Sequence, residues 1–427
     1  MNTRAFATCF LLSAITAFAH DLRILYNFPT NSYPQSTLVF GSDGALYGTT
    51  QMGGDFGYGS VFRITTQGDF TNLFSFHRSD GAYPYSGLLK AGDDAFYGTA
   101  QNGGAQGWGT VFRITTNGAL TTLCDFANTN GAYPKGVLIR GRDGALYGTT
   151  YGGGSMGYGS VFRITTEGML TTLVSLANTN GAGPFGGMIQ GQDGAFYGST
   201  TYGGDVGFAS GYGTIFCVTS GGELTNLYIF HGFGSSNPIG ELLQTGDGLL
   251  YGVAGSIFQI TTNGTFKILD DNPSFPQPMC RSGLMQGADG ALYGTAWDTA
   301  YRITANGVVT DLAVFYNFWN GSDPRAGLVQ DQDTALYGTT AQGGLFGGGT
   351  VFRIDLTSYF YPLTRATNGW QVLFAGLAGN TYRVLRSSSA AGPWVTATNV
   401  VTDGYGLGRW VDPEPGLDRA FYLLVLP

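Results

Sequence analysis

Charged side chains are scarce in this chain of 427 residues: Asp, Glu, Lys and Arg together make up only 11% of it, against about 25% in typical globular proteins. The formal net charge is −8 and no basic run is present. This argues against a nucleic-acid partner, because binding phosphates requires a patch of Lys and Arg. Disorder is excluded, because 43% of the residues are apolar and can bury a large core.

The residue types that usually carry chemistry are also few. The chain has three His and four Cys, and beyond residue 20 the only histidines are His77 and His231, too few for a three-histidine metal centre. The sequence contains no Gly-x-Ser-x-Gly nucleophile elbow, because its match to that spacing, residues 153–157, lies in a Gly-Gly loop between two predicted strands and not before a helix. The Cys spacing indicates neither a disulfide framework nor a zinc site. The sequence therefore predicts no cofactor and no metal, and it gives little support for an enzyme.

Long apolar runs are absent as well. After residue 19, no stretch approaches the ~18 apolar residues that a membrane-spanning helix needs. Residues 1–19 combine Arg4, an apolar stretch and a terminal Ala-Phe-Ala, which is the pattern of a secretory signal peptide. We therefore expect a secreted, extracellular protein without a transmembrane segment, with the periplasm or the cell surface as alternative locations.

Glycine, by contrast, is abundant, at 71 of 427 residues. Because glycine costs roughly 1 kcal/mol per helical position relative to alanine, a mainly helical fold is disfavoured. Much of this glycine belongs to a repeat: the segment 43–49, Asp-Gly-Ala-Leu-Tyr-Gly-Thr, recurs in seven copies, each followed by a segment similar to Val-Phe-Arg-Ile at 61–64. The tyrosines of the seven copies are Tyr47, Tyr97, Tyr147, Tyr197, Tyr251, Tyr293 and Tyr337.

Each unit contains four short apolar runs of strand length. Asp-Gly, Gly-Gly and Thr-Thr-x-Gly turns separate the runs, and a longer crossover leads to the next unit. Seven units of 42 to 54 residues predict an all-β fold, a seven-bladed β-propeller over residues 20–355. The unpaired run 22–28 is predicted to close the last blade as its outer strand, which removes an exposed edge.

This tandem pattern resembles the GloVer repeats of exported bacterial proteins. It is similar, more weakly, to the Asp-Gly-x-Leu-Trp-x-Gly-Thr blades of sensor-type propellers. The resemblance covers residues 22–355 and implies a propeller-like extracellular repeat protein, often joined to a C-terminal anchoring segment, with no established activity. Residues 356–365 are predicted to be a linker, and residues 366–427, which no longer repeat, to form a small C-terminal β-sandwich.

Antiparallel alternation of the strands places the Gly-Gly loops and the crossovers on one face of the propeller, named the crossover face below. Its many aromatic residues and low charge favour binding of sugar rings or peptide. The alternative is that these rings simply cover the ends of the blades. The aromatic candidates for ligand binding are Tyr33, Tyr58, Tyr83, Trp108, Tyr133, Tyr158, Tyr212 and Trp297.

One carboxylate stands out in the first strands, which are predicted to line the central channel. A column at the channel entrance is small or apolar in every unit except the fifth, where it is Glu241. A carboxylate there could bind a cation or act as a general acid or base, so Glu241 is a ligand-binding candidate and the one catalytic candidate. The alternative is a hydrated charge at the mouth of the channel, because one carboxylate makes no catalytic pair.

Three functions follow from these observations. The favoured one is a non-catalytic secreted propeller, expected to be a monomer, that binds an extracellular polysaccharide or protein through the crossover face. The second is an extracellular carbohydrate-active enzyme, a lyase or hydrolase, with its site at the channel mouth. The third is a structural protein of the envelope or matrix. The fold alone does not decide between them, because propellers serve many functions.

Overall fold

Seven four-stranded antiparallel sheets form the blades of a β-propeller in the computed structural model. The model describes residues 21–92, 94–204, 211–232, 236–269, 282–304, 307–316, 318–332 and 335–356, and in the C-terminal part 359–360, 364–366, 369–375, 381–387, 395–401, 407–412 and 421–425. The signal peptide predicted for residues 1–19 lies outside the described residues. In the described part of the chain no helix is long and apolar enough to cross a membrane.

The first three strands of each blade follow one another along the chain. The first strands are Val39–Phe40, Leu89–Lys90, Ile139–Arg140, Ile189–Gln190, Leu243–Gln244, Met285–Gln286 and Val329–Gln330. The second strands are Leu46–Thr50, Ala95–Ala100, Leu146–Thr150, Phe196–Thr200, Leu250–Ala254, Leu292–Ala296 and Leu336–Thr340. The third strands are Ser60–Ile64, Thr110–Thr115, Ser160–Ile164, Thr214–Val218, Ser256–Ile260, Thr299–Ile303 and Thr350–Asp355.

The outer strands close the blades and, in one case, the ring. In the first six blades they are Phe70–Ser75, Leu120–Asp125, Leu170–Ser175, Leu224–Ile229, Phe266–Ile268 and Val309–Val314. In the seventh blade the outer strand is Asp21–Asn27, which pairs antiparallel with Thr350–Asp355. The N-terminal strand therefore joins the last blade, in the position that the sequence analysis assigns to it. A short 3-10 helix, Asn178–Asn180, lies in the crossover after the third blade.

Glycine in the second strand is required by the packing inside each blade. The register places Gly148 opposite Phe162 of the third strand, and a Cβ on Gly148 would lie 2.6 Å from the Phe162 ring. The same relation holds between Gly48 and Phe62, where the distance would be 2.7 Å. The phenylalanine ring therefore fills the space that a side chain at the glycine position would need.

Large side chains also pack between neighbouring blades. The ring of Tyr47 in the first blade lies 4.3 Å from that of Phe96 in the second, and Tyr147 lies 4.1 Å from Phe196 in the same relation. These side chains are almost fully buried. Burial of such rings stabilises the contact between blades, because apolar burial contributes roughly 25 cal/mol per Å².

The Arg that recurs in the third strands has a structural role, as its repetition indicates. Arg63 donates to Asp43 at 2.7 Å, and the Tyr47 hydroxyl donates to the same carboxylate at 3.2 Å. Asp43 also accepts from the backbone N–H of Ala45, which stabilises the Asp-Gly turn. The Asp of this turn is therefore occupied within its own blade.

The C-terminal residues form a separate compact unit with two antiparallel sheets. One contains Tyr359–Phe360, Thr364–Ala366, Gly369–Ala375 and Leu407–Asp412, and the other contains Val395–Val401, Thr381–Ser387 and Phe421–Val425. Strand pairing thus extends into residues 356–365, which the sequence assigns to a linker, because Tyr359–Phe360 pairs with Gly369–Ala375. An ion pair of 2.7 Å between Arg386 and Asp412 connects the two sheets.

Candidate functional site

The crossovers and the Gly-Gly loops meet on one face of the propeller. The backbone N–H of Ala82, in the first crossover, donates to the carbonyl of Asn102 in the next Gly-Gly loop at 2.7 Å. Gln51 donates in the same way to the carbonyl of Tyr33 at 3.0 Å. Both loop types therefore share the crossover face, as the strand alternation predicts.

Three of the candidate aromatic residues fix the path of the crossovers. Tyr33, Tyr83 and Tyr133 each precede a proline and have φ of +51°, +58° and +57°, a left-handed conformation that is uncommon for residues other than glycine. The N–H of Tyr83 donates to the carbonyl of Tyr58 at 2.8 Å, and its own carbonyl accepts from Gln101 at 3.2 Å. These tyrosines therefore connect the loops of two blades through their backbone.

Most of the candidate rings pack against protein. Tyr58 and Tyr83 are 5.9 Å apart and Trp108 and Tyr133 are 5.4 Å apart, both edge to face. The half-buried Tyr212 ring packs on the backbone of the crossover residue Gly232. The two candidates with free ring surface are Tyr158, 42% exposed, and Trp297, 52% exposed. For the other candidates, the structure favours a role in covering the blade ends.

A cavity lies at the centre of the crossover face, where the first strands begin, and all seven blades contribute to it. It is open to solvent and is named the mouth cavity below. Its rim consists of larger side chains, and in each blade a small residue follows directly in the sequence, which keeps the centre of the cavity open. The rim side chains that directly follow a crossover proline are Gln35, Tyr85, Lys135, Phe185, Ile239 and Arg325.

Lys135 is held among aromatic rings at the rim. Its Nζ lies 3.9 Å from the ring centre of Tyr151, 4.8 Å from that of Phe185 and 5.9 Å from that of Tyr85. Among the described residues, no carboxylate or other acceptor binds this ammonium group. Burial lowers the pKa of Lys135, because the charged form loses hydration. The lysine therefore brings an uncompensated cation to the mouth cavity.

The second cation of the cavity is paired. Arg325 lies 2.5 Å from the carboxylate of Asp323 and donates to the Gln35 amide oxygen at 3.2 Å. Burial acts to lower the pKa of Arg325, but the hydrogen bond and the charge of Asp323 outweigh it, so that the pKa is raised. Because the Asp323 carboxylate offsets its charge, Arg325 contributes less to the field in the cavity than Lys135 does.

Glu241 also lines the mouth cavity, at the entrance of the channel. Its carboxyl group reaches past Gly187 of the neighbouring blade, where a Cβ would lie 3.2 Å from Oε1, and accepts a hydrogen bond from the backbone N–H of Val137, two blades away. Burial raises the pKa of Glu241 to about 7, although the Val137 N–H opposes the shift. Glu241 can therefore gain or lose a proton near neutral pH.

This raised pKa predicts a pH-dependent stability. Since the folded protein holds the Glu241 proton up to about pH 7 and an unfolded glutamate releases it near pH 4.5, stability is lost as the pH rises through this window. The free energy of unfolding of Glu241→Gln, relative to that of wild type, should therefore increase as the pH rises from 5 to 8. Melting temperatures of both proteins across this range test the prediction, and a constant or reversed difference would contradict it.

Glu241 is identifiable from the sequence as a residue of this site, whereas Tyr85, Lys135, Phe185 and Arg325 were not predicted. The available signal was the position after the crossover proline, which varies from unit to unit while its neighbours repeat. A variable position inside a regular repeat indicates a residue that the fold does not dictate. Among the described residues, no group of three or more His, Cys, Asp or Glu is arranged to hold a metal ion.

Comparison with known proteins supports the repeat and the fold. A family model of the Gloeobacter/Verrucomicrobia repeat matches residues 33–254, and no curated protein matches the chain in sequence. A catalytically inactive virginiamycin B lyase from Staphylococcus aureus, solved with quinupristin, is similar with a TM-score of 0.60 and 18% identity, covering 79% of this chain and 100% of that chain.

A second similar structure comes from an extracellular domain. It belongs to a protein assigned as a hybrid two-component system of B. thetaiotaomicron, with a TM-score of 0.56 and 12% identity, covering 85% of this chain and 45% of that chain. This chain thus spans less than half of that domain. At such identities these likenesses show the β-propeller fold alone.

Proposed function

We propose that this protein, which belongs to the Gloeobacter/Verrucomicrobia repeat family, is a non-catalytic propeller that binds an extracellular glycan at the mouth cavity of its crossover face. The signal peptide predicted for residues 1–19 would bring it to such a ligand. The C-terminal residues 366–427 would act as a spacer or docking module. The two sheets of this unit and the Arg386–Asp412 pair between them support the predicted β-sandwich.

The composition of the mouth cavity carries this proposal. The cavity opens to solvent at the centre of the crossover face, and all seven blades line it. It combines the aromatic rings of Tyr85 and Phe185 with the ammonium group of Lys135. Sugars present both apolar C–H faces and hydroxyl groups, so a cavity that offers rings next to hydrogen-bonding groups suits them.

A glycan binding screen on the mature protein tests the proposal, and we expect at least one class of oligosaccharide to bind. Phe185→Ala should weaken that binding about tenfold, which corresponds to ~1.4 kcal/mol, because a ring that contacts the sugar is removed. Isothermal titration calorimetry with the best ligand of the screen gives the affinities.

Two further variants locate the site. Met169→Ala, at an exposed turn residue on the opposite face, is the control and should bind like wild type. Trp297→Ala removes an exposed ring of the crossover face outside the mouth cavity. A large loss in Trp297→Ala together with unchanged binding in Phe185→Ala would place the site outside the cavity. The absence of any glycan ligand would contradict the proposal and favour a structural role.

One observation favours a second function, an extracellular lyase or hydrolase. Glu241 has a pKa of about 7, which suits a general acid or base at neutral pH. Incubation of each bound glycan with the protein, followed by chromatography for new reducing ends or unsaturated products, distinguishes binding from catalysis. Turnover that is lost in Glu241→Gln while the affinity is retained would establish the enzyme in place of the binding protein.

A further inference from the structure

We propose that the glycan bound in the mouth cavity is acidic and that Lys135 binds the carboxylate of a uronic acid residue. This inference rests on the proposed function, because it names the ligand class of the same cavity. It depends on Lys135, the one cation that the described residues of the cavity leave without a counter-charge.

The N–H donors of the Lys135 ammonium group have no acceptor among the described residues. An ammonium group has three N–H donors, and the described residues offer it three ring faces but no acceptor. Contacts with ring faces are worth about 0.5–2 kcal/mol and do not satisfy the donors. A half-buried cation of this kind costs free energy unless it is paired, so an anionic ligand gains from binding there.

The other charged groups of the cavity narrow the choice of anion. Arg325 is paired with Asp323 and bonded to Gln35, so the described residues of the cavity leave one uncompensated positive charge for the ligand. A carboxylate carries one negative charge and matches it. A phosphate monoester carries up to two charges at neutral pH, and its second charge would face Glu241 without a partner.

Glu241 makes the binding depend on pH. Among the residues that the structure describes, the titratable or charged groups that line the cavity with it are Lys135, Arg325 and Tyr85. Below about pH 7 the protonated Glu241 can donate a hydrogen bond to the carboxylate of the ligand. Above this pH the ionised side chain repels that carboxylate. The affinity for a uronate should therefore fall as the pH rises from 6 to 8.

The test compares matched ligands on the full mature chain. The probes are disaccharides of galacturonate, glucuronate and mannuronate, their neutral counterparts and a sulfated galactose disaccharide. We expect at least one uronate to bind tenfold or more tightly than its neutral counterpart, with an affinity that falls as the salt concentration rises. Lys135→Met should reduce this preference to less than threefold, because a methionine fills the same ring-lined space without the charge.

Two control variants separate charge recognition from loss of structure. Lys90→Met replaces a lysine at the end of the second blade's first strand, Leu89–Lys90, outside the mouth cavity. This variant should leave the preference for uronate unchanged. Glu241→Gln should keep the preference for uronate but abolish its change between pH 6 and pH 8. Melting temperatures of all variants show whether each one is folded, and a Lys135→Met protein that melts like wild type makes the comparison direct.

The outcomes distinguish this inference from the function on which it rests. Equal binding of uronate and neutral sugars, or an unchanged preference in folded Lys135→Met, overturns the carboxylate assignment and leaves the glycan-binding function standing. Equal binding of the sulfated sugar overturns the choice of carboxylate over other anions. If no sugar of any class binds, the proposed function fails and this inference fails with it.

Discussion

Replacing Arg302 with methionine should destabilise the propeller by about 3–5 kcal/mol, because it leaves a buried carboxylate without its partner. Arg302 forms two hydrogen bonds to Asp289 Oδ2, at 2.7 and 3.0 Å. The side chains of the pair are only 3% and 6% exposed. A buried charge has lost its hydration, so removal of the counter-charge costs much more here than at the surface.

The repeat provides a matched control for this experiment. Arg63 and Asp43 form the equivalent pair in the first blade at 2.7 Å, with side chains 28% and 38% exposed. Arg63→Met should cost less than about 1 kcal/mol, since water screens an exposed ion pair. The shift of the urea midpoint, multiplied by the slope of the transition, measures both losses. Similar losses in the two variants would show that burial of the pair has no energetic consequence.

Phe28→Ala should have an effect of similar size, about 3–5 kcal/mol, because it opens a cavity where the ring of blades closes. Phe28 directly follows the strand Asp21–Asn27 and is 2% exposed. Its ring lies 5.2 Å from that of Phe62 and 5.6 Å from that of Phe70, both in the first blade. One side chain therefore ties the last blade to the first.

Phe318→Ala is the control for this prediction, because the same substitution at a side chain that is 80% exposed should change the stability by no more than about 0.5 kcal/mol. Both variants are compared with wild type by thermal and urea unfolding. Phe28→Ala should also form oligomers as it begins to unfold, since release of the closing strand exposes the edge of Thr350–Asp355. A monomeric variant with unchanged stability would show that closure does not depend on this packing.

The blades could be predicted because their information is local and repeated seven times. Strand lengths, Asp-Gly turns and the glycine that faces a phenylalanine recur at fixed spacing, so each unit confirms the interpretation of the others. Comparison of the repeat units also identified Glu241, because the equivalent position in the other six units holds a small or apolar residue. Its contact with the N–H of Val137 could not be predicted, because it connects blades that lie about a hundred residues apart.

The aromatic candidates show where reasoning from composition fails. Tyr58 and Tyr83 share the crossover face with Trp297, but the first two rings pack against each other while Trp297 is half exposed. A sequence lists aromatic residues without stating which of them other residues cover. Whether a ring packs or remains free depends on the loop that lies over it.

The sequence by itself determined the all-β class, the seven units, the strand that closes the ring and the face on which the long loops lie, because each depends on turn chemistry and periodicity within about fifty residues. Only the tertiary structure decided which side chains form the mouth cavity. Gln35 and Arg325 meet there at 3.2 Å although 290 residues separate them, since closure of the ring brings the starts of all first strands to one centre. The uncompensated charge of Lys135 likewise becomes visible only when its neighbours in space are known, because charge compensation depends on distance and burial.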